Sequence, residues 1–144
     1  MRKVNRSALV PYSAAQMYAL VRDVEAYPLF LPWCHAAEVH IRESDFIEAS
    51  LELSRGRIRK RFRTRNVLRE NEFLGIELVG GPFRHMSGGW TFQQLGDAGC
   101  KVWLTLEFEF ESRATDVIFG RFFEHTCNTL VDSFTRQAAR IYAH

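Results

Sequence analysis

From Cys100 to Phe110 the chain alternates strictly. Cys100, Val102, Leu104, Leu106, Phe108 and Phe110 alternate with Lys101, Thr105, Glu107, Glu109 and Glu111, with Trp103 the one aromatic on the polar side. A period of two sends apolar side chains to one face of a strand and polar ones to the other. After Ser112 the period changes. Phe119, Phe123, Cys127, Leu130, Phe134, Ala138 and Ile141 recur at spacings of three and four, which is one face of a helix, and Val117, Ile118 and Phe122 widen it. A helix of nearly thirty residues would be about 43 Å long. A chain with both features has to lay a long apolar helix along the buried face of a sheet.

The same alternation runs back to about residue 36. Val39 and Ile41 alternate with the polar Glu38, His40 and Arg42, Ile47, Ala49, Leu51 and Leu53 with Glu48, Ser50 and Glu52, and Ile76 and Leu78 flank Glu77. Turn signals lie at Ser44-Asp45, Arg55-Gly56, Asn71-Glu72, Gly80-Gly81-Pro82 and Gly96–Gly99. Gly88-Gly89 reads as a bulge or tight bend in a strand. Residues 2–10 read as one more strand. Pro11-Tyr12-Ser13 then opens a helix with Ser13 as N-cap and Gln16 in the capping-box position, ending near Asp23. The expected fold is α+β: a curved antiparallel sheet of six or seven strands around a long C-terminal helix, with short helices after the first strand. The 144 residues fit one domain, 1–144.

The segment Asp23–Cys34 fits neither period. Its later part, Tyr27-Pro28-Leu29-Phe30-Leu31-Pro32-Trp33-Cys34, is almost wholly apolar, yet contains two prolines. Proline lacks a donor and restricts its predecessor, so a regular core helix or central strand is not expected. Such a segment buries itself as a shaped wall or lid. The chain also holds 12 Phe residues, and aromatics commonly line apolar ligand sites. Tyr27, Phe30, Leu31, Pro32 and Trp33 are therefore the expected lid of an apolar tunnel. Its walls are Phe62, Phe83, Met86, Trp90 and Phe92 from the sheet. Phe108, Phe119, Phe123 and Cys127 complete it. Tyr27, Thr64, Asn66 and Arg84 are candidate polar handles near the mouth.

A second signal is basic. Arg55, Arg57, Arg59, Arg61, Arg63 and Arg65 occupy every odd position, with Lys60 among them. A strand over 57–69 puts these arginines on one face, with Ile58, Phe62 and Leu68 on the buried face and Lys60 reaching the cavity mouth. Two readings stand. Arg57, Arg59, Arg61, Arg63 and Arg65 form an anion-binding stripe for phospholipid headgroups or RNA phosphates. Alternatively they pair across strands with Glu48, Glu52 and Glu77. Those three acids leave an excess of basic charge.

Catalytic signatures are sparse. The histidines His35, His40, His85, His125 and His144 show no metal-ligand spacing, and no nucleophile elbow or phosphate-binding glycine loop is present. No catalytic residue, metal or cofactor is expected. Adjacent Cys34 and His35 point apart in extended chain. His125 reads as a helix-surface residue or as a polar handle facing the cavity. Trp103 falls on the wet face of its strand. Cys34, Cys100 and Cys127 read as reduced thiols in a cytosolic protein. The basic opening Met1–Arg6 has no apolar run behind it, so no secretory signal is expected. The net charge of +2 calls for no DNA partner.

Three blocks carry a family resemblance: Asp23-Val24-x-x-Tyr27-Pro28-x-Phe30-Leu31-Pro32-x-Cys34, Phe62-x-Thr64-Arg65-Asn66, and Gly81-Pro82-Phe83 with Gly88-Gly89-Trp90-x-Phe92. Ala8–Ala14 and the region Phe108–Arg121 add to it. Together they resemble the coenzyme Q-binding, START-like (SRPBCC) family, and its bacterial RatA-type branch above all. The resemblance implies a helix-grip fold with a hydrophobic tunnel. It implies either binding of ubiquinone or a related polyprenyl lipid in support of respiration and quinone biosynthesis, or a toxin role in which the large ribosomal subunit is bound. An older family label, polyketide cyclase, implies an enzyme, and the apolar interior ranks that reading lowest. The expected place is the cytoplasm, with peripheral contact at the inner membrane left open. Dense arginines at 55–61 and a bulky Trp33 depart from the branch pattern.

Overall fold

The computed structural model describes residues 1–143; His144 lies outside them. Seven strands form one antiparallel sheet: β1 (Arg2–Val10), β2 (Cys34–Arg42), β3 (Phe46–Arg55), β4 (Ile58–Arg69), β5 (Phe73–Gly80), β6 (Phe83–Gln94) and β7 (Cys100–Phe110). Their spatial order is β1-β7-β6-β5-β4-β3-β2, so the chain meanders from β2 to β7 and β1 closes the far edge. The five expected turns are the five hairpin connections. Val102, Leu104 and Phe108 on β7 are fully buried, while Trp103 is exposed on the outer face with the Lys101 ammonium 4.0 Å above its ring.

Between β1 and β2 runs α1 (Ala14–Arg22). The Ser13 side chain accepts from the Gln16 backbone N–H at 3.1 Å, and the Gln16 side chain accepts from the Ser13 N–H at 2.9 Å, closing the capping box. A short 3₁₀ helix, Val24–Leu29, follows with Pro28 inside it. A 3₁₀ turn tolerates proline because so few of its N–H groups need intrahelical partners.

The expected single C-terminal helix is two: α2 (Arg113–Asn128) and α3 (Leu130–Tyr142). The break at Thr129 has a local cause. Thr126 Oγ1 donates to the Phe123 carbonyl, Asn128 Nδ2 to Glu124 and Thr129 Oγ1 to Thr126. Three side chains within four residues thus compete for carbonyl acceptors of the neighbouring turn, which bends or interrupts helices. The Tyr142 hydroxyl donates to the Gln16 carbonyl at 3.1 Å, tying the end of α3 to α1.

The expected apolar stripe needs correction at both ends. Phe119, Phe123, Cys127, Phe134 and Ala138 are buried against the sheet, but Ile141 is exposed. Val117 is 74% exposed and Ile118 is 36% exposed, so they do not widen the buried face. The flank of α2 beside β1 is polar instead: there Arg2 forms ion pairs with Asp116 at 3.0 Å and Glu124 at 2.9 Å.

The bulge expected at Gly88-Gly89 lies earlier in β6, between Phe83 and His85. Gly88 has φ +154°, and a Cβ there would sit 2.1 Å from the Thr105 carbonyl oxygen. It is needed for close approach of β6 to β7 rather than for a bulge.

Candidate functional site

β4 builds the floor of the interior. Ile58, Lys60, Phe62, Thr64 and Asn66 share its inner face, which changes character along the strand. Ile58 and Lys60 are exposed, whereas Phe62, Thr64 and Asn66 are buried. Ile58 therefore does not take the buried position expected of it: it lies at the hairpin tip, beyond the cover of α2.

Thr64 and Asn66 line an internal cavity of about 70 Å³ between the sheet and the α2–α3 pair. Of the expected tunnel residues, Tyr27, Trp33, Phe62, Met86, Trp90, Phe123 and Cys127 also line it. Leu51, Leu74, Ile76, Leu106, Leu130 and Phe134 join them, and none of these was among the expected tunnel residues, although all but Leu74 stand in the apolar patterns of the sequence. Alternation marks a residue as inward but does not say which inward residues meet a void.

Several expected tunnel residues lie elsewhere. Phe83, Phe108 and Phe119 belong to a solid aromatic cluster with Phe110, in which Phe83 and Phe110 stack at 4.5 Å. Phe92 packs on Tyr18 at 5.8 Å, under α1. Leu31 is buried, and Phe30 packs on Phe134 at 5.1 Å behind the cavity wall. Pro32 is exposed. Arg84 is not a handle of this cavity. It lines a separate surface cleft of about 440 Å³ with Arg2, Arg113 and Asp116, where it donates to the Glu111 carbonyl at 3.2 Å.

The polar groups of the cavity are few. Thr64 Oγ1 donates to Asn66 Oδ1 at 3.1 Å. The Tyr27 hydroxyl is engaged by the Val21 carbonyl, and burial raises its pKa well above the ordinary phenol value. Trp33 is 7% exposed, and its indole Nε1 has no hydrogen-bond partner among the described residues. A buried donor without a partner costs about 1–3 kcal/mol, which a ligand acceptor would offset. Trp33 is held by an edge-on contact with Phe123 at 5.9 Å and by its carbonyl, which accepts from the Ser54 N–H at 2.8 Å.

The thiols are not activated. Burial pushes Cys34 up to about 11 and raises Cys127 further, so neither forms a thiolate near neutral pH. His125 is on the exposed side of α2, away from the cavity. His35 is exposed, and His40 Nε2 lies 2.8 Å from Ser50 Oγ on the outer face. His85 shares a single ring nitrogen with Glu107 and Ser87, at 3.1 and 3.2 Å, so the three do not form a relay through both nitrogens.

The outer face of β4 carries the arginines. Arg59 pairs with Glu52 at 3.7 Å, Arg61 with Glu38 and Arg63 with Glu48. Arg61 holds the Glu38 carboxyl below its ordinary range. Arg65 lies 3.9 Å over the Phe46 ring. Glu38, on β2, was not foreseen as a partner; Glu77 is in register with Arg65 but forms no ion pair with it. Arg57 lies in the β3–β4 turn. Arg55 is on the other face, where it donates to the Ile118 carbonyl and sits 5.6 Å from the Phe122 ring centroid.

Residues 10–135 match the family described as polyketide cyclase / dehydrase and lipid transport. The ribosome association toxin RatA of Vibrio cholerae is 43% identical over 142 residues, covering 99% of each chain. The mitochondrial coenzyme Q-binding protein COQ10 homolog B of Xenopus laevis is 28% identical over 143 residues, spanning 96% of this chain and 58% of that protein. In shape, the Zhui aromatase/cyclase from Streptomyces sp. R1128 superposes with a TM-score of 0.84 at 17% identity, over 99% of this chain and 96% of that one. The chain belongs to the polyketide cyclase/dehydrase and lipid transport family, of START-like helix-grip fold.

Proposed function

We propose that the protein binds a hydrophobic ligand with a hydrogen-bond-accepting head, of the ubiquinone class, in the cavity between sheet and helices. It acts by binding rather than by chemistry. The observation that carries this reading is the unpartnered indole Nε1 of Trp33, buried in an aromatic wall that also holds Thr64 and Asn66. A quinone carbonyl accepts from such donors, while the aromatic walls take its ring. The 28% identity to a coenzyme Q-binding protein supports the same ligand class.

Ligand pockets commonly measure about 300–1,000 Å³, so a cavity of about 70 Å³ must open before a ring enters. Met86 repacks readily, and the proline-broken segment at 27–33 forms the one irregular wall. The decisive experiment is mass spectrometry of an organic extract of the purified protein beside a mock purification. A stoichiometric prenylated quinone is expected; a protein that carries none and takes up none when offered overturns the reading. Trp33→Phe keeps the ring and removes the donor, and should weaken uptake about three- to tenfold.

A second reading is favoured by the full-length 43% identity to a ribosome association toxin: binding to the large ribosomal subunit. On the outer face, RNA phosphates would have to displace Glu38, Glu48 and Glu52 from the arginines. Charge reversal at Arg59, Arg61 and Arg63 should abolish co-sedimentation with the large subunit while quinone loading persists. Unchanged co-sedimentation removes these arginines as the contact. Either role places the protein in the cytoplasm. No helix among the described residues is long and apolar enough to cross a membrane.

A further inference from the structure

The apolar residues that leave the core of α2 do not scatter. Val117 and Ile118 share the exposed face of the helix with Arg121, at helical spacings of four and three. Arg55 bonds the Ile118 carbonyl and lies against Phe122, so the β3–β4 hairpin tip is fastened to this face. The tip adds Ile58, 46% exposed, flanked by Arg57 and Lys60. Exposed aliphatic side chains thus stand on two elements that Arg55, the register partner of Ile58, ties together, with basic residues beside them.

The charges of this patch differ from those of the outer face. Arg59, Arg61 and Arg63 each have a carboxylate partner. Arg57, Lys60 and Arg121 have none among the described residues. The nearby α2 carboxylates, Asp116 and Glu124, are tied to Arg2. The patch is also continuous with the cavity wall. Phe62 lies two residues beyond Lys60 on the same face of β4, and Trp33 binds Ser54 beside the tip.

We propose that the β3–β4 hairpin tip and the outward face of α2 form a docking surface for an anionic phospholipid bilayer. Aliphatic groups enter the headgroup boundary while the basic rim meets lipid phosphates. RNA phosphates would satisfy the rim but would gain nothing from Val117, Ile118 and Ile58, because single-strand recognition relies on stacking surfaces. The surface takes its purpose from the ligand reading above, since it sets the end of β4 that leads to Phe62 and the cavity wall against the membrane that dissolves such a ligand.

The test is flotation with vesicles of equal parts phosphatidylcholine and phosphatidylglycerol, beside vesicles of phosphatidylcholine alone. The wild type should float with the anionic vesicles, and less so at high salt. Val117→Asp with Ile118→Asp, and separately Arg57→Glu with Lys60→Glu, should each reduce binding about tenfold or more. Both pairs are exposed, and circular dichroism checks their folding. Arg61→Ala with Arg63→Ala should float like the wild type. The proposal falls if the folded wild type fails to float, or if either patch variant floats unchanged. It also falls if the basic variant loses only large-subunit binding. Quinone uptake in detergent micelles separates the readings: loss of uptake with intact flotation overturns the ligand, and intact uptake without flotation overturns the docking surface.

Discussion

The two faces of β4 are built from alternate residues of one segment, yet they solve opposite problems. On the outer face, Arg59, Arg61 and Arg63 are matched by acids from β2 and β3, and Arg65 covers Phe46. On the inner face, Phe62 fills an aromatic wall and Thr64 and Asn66 satisfy each other. The dense charge is internally balanced. Two buried donors lack partners among the described residues: the Trp33 indole N–H beside the nearly neutral face, and the Arg63 Nε on the charged one. Charge count and charge availability are thus different quantities: of the basic side chains from Arg55 to Arg65, Arg57 and Lys60 at the hairpin tip are the ones without a carboxylate, carbonyl or ring partner among the described residues.

The largest test of this contrast is packing. Phe62 contacts Phe83 at 5.3 Å and Phe123 at 6.0 Å. Phe62→Ala should cost about 3–5 kcal/mol in denaturant unfolding. Its outer neighbour Arg61→Ala should cost less than about 1 kcal/mol. Equal losses would mean that the outer ladder is as structural as the core, and the contrast would break.

How much of this was legible follows from the kind of information each feature needs. The strands, the capping box at Ser13 and the turns are local, and local spacing revealed them. The break at Thr129 was also written locally, in Thr126, Asn128 and Thr129, but the apolar stripe runs straight across it and outweighed it. Glu38 as the partner of Arg61 requires the register of β2 on β3, in which Glu38 faces Ser50. Alternation within one strand does not contain that. The cavity is the least legible feature. Phe62 and Phe108 look alike in sequence, yet one lines a void and the other closes a solid cluster, because the difference depends on where α2 and α3 pass over them.

A middle-sized effect comes from a charge pair of intermediate exposure. Arg2 holds Asp116 below the usual carboxylate range by hydrogen bonding. A depressed folded-state pKa contributes stability that is fully present above the unfolded value of about 3.9. That contribution is lost as pH falls through the folded value. The Asp116 side chain is 40% exposed, so solvent screening keeps the effect below about 1 kcal/mol. Wild type should therefore exceed Asp116→Asn in denaturant midpoint at pH 7, with the gap closing in strongly acidic solution. A gap that persists unchanged would assign the loss to the packing of α2 on β1 rather than to charge.

The smallest effect lies within the outer ladder and divides it. Glu38 and Arg61 are both at least half exposed, whereas the Glu48 side chain is 14% exposed and the Arg63 Nε is buried without a partner. Screening weakens the first pair, while the second sits where water competes less. Double-mutant cycles should give Arg61–Glu38 a weak coupling that vanishes at high salt. Arg63–Glu48 should keep a coupling of roughly 1 kcal/mol under the same conditions. That ordering also ranks the arginines by how readily an external anion could take them: Arg61 releases its acid first, and Arg63 is held as part of the sheet. If both couplings vanish together, the whole ladder is exchangeable, and the outer face regains its standing as an anion-binding surface.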